Sequence, residues 1–237
     1  LHHFDLDPTP NTLSFYITYA SHHIEPRSVM SYLTGIIRNL ELHFPHAQSS
    51  QNSHLVTRTL QGCLHQLSMP TIWKSPLTCE HLRQAVLRVP APHSHDDCLF
   101  LAQLHTGFFT LLCLGELVVS DTVALRDSFS VSHHTSVRVS PTNYSFDLHC
   151  DKSDRLFKGS TILIQKSSSE PNPHTFFSRY LSSRDAQFPF HPQLWLCADG
   201  FMPTRAWFIH QLHHIFPTSI AGDSMRARGA TPLAAAG

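Results

Sequence analysis

The sequence has no C-x-x-C pair: its six cysteines, at positions 63, 79, 98, 113, 150 and 197, are scattered along 237 residues. That spacing is neither a zinc ribbon nor the dense framework of a small secreted domain, so reduced thiols are expected. Long apolar runs are also missing. None approaches the roughly 20 residues that a helix needs to cross a bilayer, and the opening LHHFDLDPTP lacks the basic-then-apolar layout of a signal peptide. A soluble, intracellular chain with no membrane partner is expected. Neither G-x-x-x-x-G-K-[ST] nor G-x-G-x-x-G occurs, even around Gly222, so a nucleotide cofactor has no support and no cofactor of any kind is expected. Net charge is absent too, because 17 Lys+Arg balance 17 Asp+Glu, and composition taken alone argues against a nucleic-acid partner. No internal repeat or low-complexity tract is visible.

What is present is a 41% hydrophobic chain with 20 histidines, long enough for one large core or two modest ones. Histidine titrates near pH 6.5, so mild acid would add positive charge that the neutral-pH count omits. Thr12 precedes Leu13, Phe15, Tyr16, Ile17 and Ala20 at helical spacing, which predicts a first helix over 12–21. Pro26 suits the first turn of a second, whose apolar stripe of Val29, Tyr32, Leu33, Ile36, Ile37 and Leu40 ends before Pro45. A third is predicted over 53–67. The proline-punctuated stretch 68–76 reads as a linker.

Beyond it, Thr78 and His81 open a capped helix, and Cys98–Leu114 reads as a buried, strongly apolar helix with Cys113 inside it as a small core residue. Three alternating runs, 136–140, 144–148 and 161–165, predict a small antiparallel sheet, and helices return over 174–183 and 204–216. His210, His213 and His214 have helical i, i+3, i+4 spacing. His93, His95 and Cys98 cluster in a Pro-flanked loop that reads as solvated. No second Cys/His set has ligand spacing, so no metal is expected at either place.

Several words in this order resemble one family. Ser31-Tyr-Leu-Thr-Gly-Ile36 and Arg58-Thr-Leu-Gln-Gly-Cys63 resemble a core-binding domain, and Lys74-Ser-Pro-Leu-Thr78 resembles the entry to a catalytic domain. His105-Thr-Gly-Phe-Phe-Thr-Leu-Leu-Cys-Leu-Gly-Glu-Leu117 is similar to a first active-site box, Asp151-Lys-Ser-Asp-Arg155 to a β-hairpin lysine box, and Gly222-Asp-Ser-Met-Arg-Ala-Arg-Gly-Ala-Thr231 to a second box. Together they resemble the tyrosine recombinases, or phage integrases, in their fungal Crypton-like branch. The resemblance implies a mainly α chain with a small antiparallel β-sheet (α+β). A helical core-binding, SAM-like DNA-binding domain would occupy 1–72, and a tyrosine recombinase catalytic domain, truncated at its C-terminus, would occupy 76–237.

In that family a tyrosine attacks the scissile phosphate, two arginines and a histidine hold the negative charge that develops, and a lysine protonates the leaving oxygen. The demand is for cationic donors aimed at an anion, and arginine's planar fork suits it. Lys152 and Arg226 stand at two of these positions, and Glu116 at a retained acidic one. Cys113 stands where the first arginine is expected and Asp223 where the histidine is expected. The chain also stops before the segment that would carry the tyrosine; Tyr16, Tyr19, Tyr32, Tyr144 and Tyr180 lie elsewhere.

The resemblance therefore implies a degenerate enzyme of mobile-element origin, acting in the nucleus, that binds duplex DNA through Arg27, Arg38, Arg58, Arg155 and Arg228 without cutting it. Self-association through an uncovered apolar face is expected with it. The competing reading is a protein-interaction or relic domain with no DNA affinity, which the zero net charge favours.

Overall fold

A computed structural model of the chain describes residues 7–70, 74–126, 131–148, 159–167 and 171–227. The chain divides into two compact units, Leu1–Ile72 and Trp73–Gly237. Unit 2 is mostly helical around one three-stranded antiparallel sheet, and the elements described in unit 1 are all helices.

Unit 1 is built from α1 (Pro10–Ser21), α2 (Pro26–Leu40), α3 (Ala47–Gln51) and α4 (His54–Leu67). The first helix begins two residues before the predicted start. Thr9, not Thr12, is the N-cap: its hydroxyl accepts the Thr12 N–H, and Pro10 takes the first turn, where a missing N–H costs nothing. Ser53 caps α4 in the same way, through the Val56 N–H. The short α3 was not expected; it has no side-chain cap, but Gln51 donates to Thr34 Oγ1 on α2 at 3.2 Å, and Ala47 and Ser50 are buried. Leu13, Ile17 and Ala20 from α1 meet Val29, Leu33 and Ile37 from α2, Ala47 and Val56. Tyr32 and Ile36, assigned to this stripe by sequence, are exposed instead. Opposite the core, Arg27, Ser31, Thr34 and Arg38 are all exposed along α2 at i, i+4, i+7 and i+11. His54, Arg58, Gln61 and His65 repeat that spacing along α4 and are exposed as well.

In unit 2, α5 (Cys79–Arg88) starts at a capping box, Thr78 Oγ1 accepting the His81 N–H while the His81 ring accepts the Thr78 N–H. A second box, Ser94 with Asp97, opens α6 (His95–Thr110). The strands β1 (Arg138–Val139), β2 (Asn143–Leu148) and β3 (Ser160–Gln165) pair antiparallel in the order β1-β2-β3, with Tyr144 opposite Ile164 and Phe146 opposite Ile162. Then follow α7 (Pro173–Gln187), α8 (Arg205–Ile215), capped by Thr204, and α9 (Ser224–Ala227).

α6 is the centre of this unit. Every residue from Cys98 to Phe108 is buried, so the helix is enclosed on all sides rather than along one stripe. Phe100, Leu101, Leu104 and Phe108 belong to a core with α5, α8 and Met225; Leu99 and Ala102 belong to a second core with Tyr144, Phe146, Ile164, Phe177 and Trp195. A helix buried all round must satisfy its polar side chains internally. Gln103 donates to Leu117 O at 2.6 Å, Thr106 shares a hydrogen bond with the Tyr144 hydroxyl at 2.9 Å, and the His105 Nδ1–H donates to Leu101 O at 2.7 Å.

Two sequence expectations are corrected here. The helix ends at Thr110, not Leu114: Leu111 is left-handed, with φ of 56°, and breaks the helix although the sequence stays apolar. Cys113 therefore lies beyond the helix and is half-buried rather than a core residue. His95, read as part of a solvated loop, is in α6 and buried, as is Cys98, which the sequence offered both to that loop and to the start of the helix; the His95 ring bonds Ser183 Oγ at 2.9 Å and the Leu196 carbonyl at 2.9 Å.

His105 makes folding sensitive to acid. It is fully buried against Phe176, with ring centroids 4.1 Å apart, and burial pulls its pKa down from 6.5 to about 4. The unfolded chain takes up this proton below about pH 6.5 and the folded chain only near pH 4, so stability falls as the pH drops through that window, by about 3 kcal/mol for this group. Urea denaturation between pH 7 and pH 4 is expected to show this loss in the parent chain and a flatter profile in His105→Leu. Equal pH slopes in the two would contradict the assignment.

Candidate functional site

The reversal at Leu111 returns the chain across the end of α6, where the Leu112 N–H bonds the Gly107 carbonyl at 3.1 Å. Leu112 and Leu114 are buried on either side of Cys113. Cys113 caps a single 3-10 turn, Leu114–Glu116, in which the Glu116 carboxylate accepts the Cys113 N–H and the Glu116 N–H donates back to the Cys113 carbonyl at 2.9 Å. Glu116 thus fixes the backbone of position 113. Gln103 holds the next carbonyl, Leu117, from inside α6.

The second half of the site is the segment from Thr218 to α9. Lys74 Nζ donates to Thr218 O at 2.9 Å, the Ser75 N–H to Ser219 O at 2.8 Å and the Leu77 N–H to Ser224 O at 3.0 Å, so the start of unit 2 lies along this segment. The Ala221 N–H donates to Ser224 Oγ and the Ser224 N–H to Ala221 O, both at 2.9 Å, which closes the turn over 221–224. Ser224 and Met225 are fully buried, while Asp223 between the glycine and the serine is exposed.

The two halves touch. A Cβ built on Gly222 would lie 2.6 Å from Leu114 Cδ2, and one built on Gly107 would lie 2.6 Å from Met225 Sδ. Leu114 adjoins Cys113 and Gly222 adjoins Asp223, so the two sequence words meet through small residues. Beside that contact stand a half-buried cysteine and an exposed aspartate. A carboxylate there opposes negative charge, and a thiol supplies no fixed cation.

Other predicted residues fall as follows. Arg226 lies in α9, with its side chain outside the description; Lys152 and Arg155, in the sequence between β2 and β3, and Arg228 lie outside the described residues altogether. Arg27 and Arg38 are exposed on α2 and Arg58 on α4. Of the five tyrosines, Tyr144 and Tyr180 are fully buried, their hydroxyls bonded to Thr106 and to the Leu194 carbonyl. Burial raises the pKa of both phenols, so neither offers a nucleophilic oxygen to an outside phosphate.

Sequence reading missed Ser224, Gln103 and Lys74 as positioning residues; no local motif marks a side chain whose partner is a distant backbone carbonyl. Beside Glu116 lies a cavity of about 30 Å³, lined in part by Ser132 and Trp195, which is water-sized. Among the described residues no group of three or more His, Cys, Asp or Glu could hold a metal ion. None of the described helices is long and apolar enough to cross a membrane.

No family model matches the sequence, and neither does any curated protein. Solved structures do match. The Tn1549 transposon integrase (residues 82–397), in complex with circular intermediate DNA, aligns with a TM-score of 0.54 at 17% identity, over 98% of this chain and 75% of that one. The XerH site-specific recombinase bound to its difH substrate, in a pre-cleavage complex, aligns with a TM-score of 0.46 at 11% identity over 90% of this chain; its post-cleavage complex on palindromic difH gives 0.46 at 12%. The chain spans about 60% of the length of the XerH chains. The likeness to the integrase is one of fold, which in this chain is helices, a small antiparallel sheet and further helices.

The contact between the halves gives a test. Gly222→Ala would drive a methyl into Leu114 Cδ2 and to within 3.1 Å of Leu114 Cβ, next to the main chain. A loss of about 1–3 kcal/mol is expected. Gly107→Ala meets the sulfur of a flexible methionine and gains helix propensity of about 1 kcal/mol, so its net effect should be smaller. Urea denaturation of both variants checks the order; a larger loss for Gly107→Ala would contradict it.

Proposed function

We propose that this chain is a tyrosine recombinase-like protein of mobile-element origin that binds duplex DNA and does not cleave it. The observation that carries the reading is the meeting of the Cys113 turn with the Gly222–Met225 turn. Leu114 packs against Gly222, and their neighbours Cys113 and Asp223 stand where the resemblance calls for an arginine and a histidine. Losing one such donor lowers the rate by about 10²–10³, and here one of the two is replaced by an opposing charge. Glu116 keeps its place because it fixes the turn. Lys152 and Arg226 remain as cations that can hold a phosphate without completing the reaction. Within this reading the chain belongs to the fungal Crypton-like branch, has two domains over 1–72 and 76–237, acts in the nucleus and self-associates.

DNA contact is assigned to Arg27 and Arg38 on α2, Arg58 on α4, and Arg155 and Arg228. The two helices support this through their matching outward stripes, each carrying arginine among small or polar residues. Space is open beside Gly35 and Gly62, so a phosphate backbone can approach both helix surfaces closely. Zero formal charge favours the alternative, an interaction or relic domain without DNA affinity. Salt separates the two: log affinity should fall by about 0.9 per phosphate neutralised for each decade of salt, and Arg38→Ala or Arg58→Ala should reduce that slope by about 1. Affinity should also rise from pH 8 to pH 6 as histidines gain charge. Flat responses to salt and pH would leave the interaction domain as the reading.

Cleavage is tested separately with end-labelled suicide duplexes on a denaturing gel. The chain is expected to give retarded complexes in the native gel and no covalent band in the denaturing one. A covalent band would overturn the inactive assignment.

A further inference from the structure

We propose that His210 and His214, one turn apart on the exposed face of α8, form a two-histidine site for a divalent transition-metal ion of the nickel, copper or zinc type. Both side chains are exposed and their ring centroids lie 4.2 Å apart. The rings stand nearly perpendicular, at 87°; two nitrogens that bind one ion at about 2.0–2.1 Å in adjacent positions stand roughly 3 Å apart, so binding requires rotation of these exposed side chains about their χ angles.

The hydrogen bonds favour coordination. The His214 Nδ1 lies 2.9 Å from the His210 carbonyl. A carbonyl only accepts, so Nδ1 carries the hydrogen, and Nε2 of the neutral ring holds its lone pair for a metal. Such a backbone bond on the second nitrogen is the usual support of a metal-binding imidazole, because it fixes tautomer and ring direction. The His210 ring nitrogens make no hydrogen bond among the described residues. His213 is turned away: its Nε2 donates to the Ile220 carbonyl at 3.1 Å, which ties α8 to the segment leading to Asp223. The site thus has two protein ligands, and water completes the shell. Imidazole pairs without thiolate suit nickel, copper and zinc over calcium or magnesium.

A two-residue site on a rigid helix gains affinity because the second imidazole is already in place when the first binds. The test uses the whole 237-residue chain and Ni²⁺ as the probe, in a buffer without chelators at pH 7.5. Calorimetric titration is expected to show one tightest class of one ion per chain. His210→Ala and His214→Ala should each weaken it by about tenfold or more, whereas His213→Ala should not. Both residues are exposed, so neither change threatens folding, and far-ultraviolet circular dichroism checks this. In ¹⁵N spectra of the parent chain, paramagnetic Ni²⁺ should broaden amides of 209–215 first. A tightest class that survives both substitutions, or broadening that begins elsewhere, would overturn the proposal.

Discussion

The complete burial of α6 is the constraint on which unit 2 depends. A helix with one apolar stripe needs a partner on one side; this one needs partners on all sides, and the sheet, α5, α7 and α8 provide them. Its polar side chains then decide which parts of the chain it holds. His95 takes the Leu196 carbonyl, Thr106 takes the sheet through Tyr144, and Gln103 takes the turn after the helix. In a low-dielectric core each of these bonds is costly to lose, because the partner would be left buried without one. The same helix that fills the core therefore also registers the candidate site.

That registration leaves the turns at 113 and 223 independent of the side chains at those two positions. The turn at position 113 is held by Leu112, Leu114, Gln103 and Glu116, none of which needs an arginine side chain at 113. The turn at 223 is held by Ser224, Gly222 and the backbone of 75–77, none of which needs a histidine at 223. Scaffold and chemistry are separable here.

Some helix starts were legible from a capping residue or a first-turn proline, while those at Thr9 and Ser94 were passed over. Thr78, Thr204, Ser53 and Pro26 each declare a boundary within four residues of sequence, and the alternating runs declare β2 and β3 because one face is buried and the other is not. The mainly helical class with a small antiparallel sheet followed from those local patterns. The end of α6 was not legible: the left-handed residue is Leu111, where glycine or asparagine would have marked a stop, and the apolar run continues to Leu114. Cys113 was misplaced into the core for that reason alone. Nor could sequence show that Arg184 is fully buried, held by the carbonyls of His191 and Gln193, since a charged residue on a helix reads as solvent-facing until its partners are known. The words around Cys113 and Asp223 were visible in sequence. Their contact was visible only in three dimensions, because it runs through Leu114, Gly222, Gly107 and Met225, which carry no functional chemistry.

The central claim is that a recombinase scaffold presents a site whose cationic donors have been replaced. It is tested most directly by restoring them. Cys113 is half-buried and lies beyond the helix, so Cys113→Arg has room that a core position would deny it. Affinity for a short duplex should be measured at fixed salt and pH for the parent, Cys113→Arg, Asp223→His and the double variant. Each charge-assisted contact contributes about 1.5–3 kcal/mol, so the account predicts tighter binding by roughly tenfold or more per substitution and a non-additive gain when both contact one phosphate. Unchanged affinity in a folded double variant would contradict it.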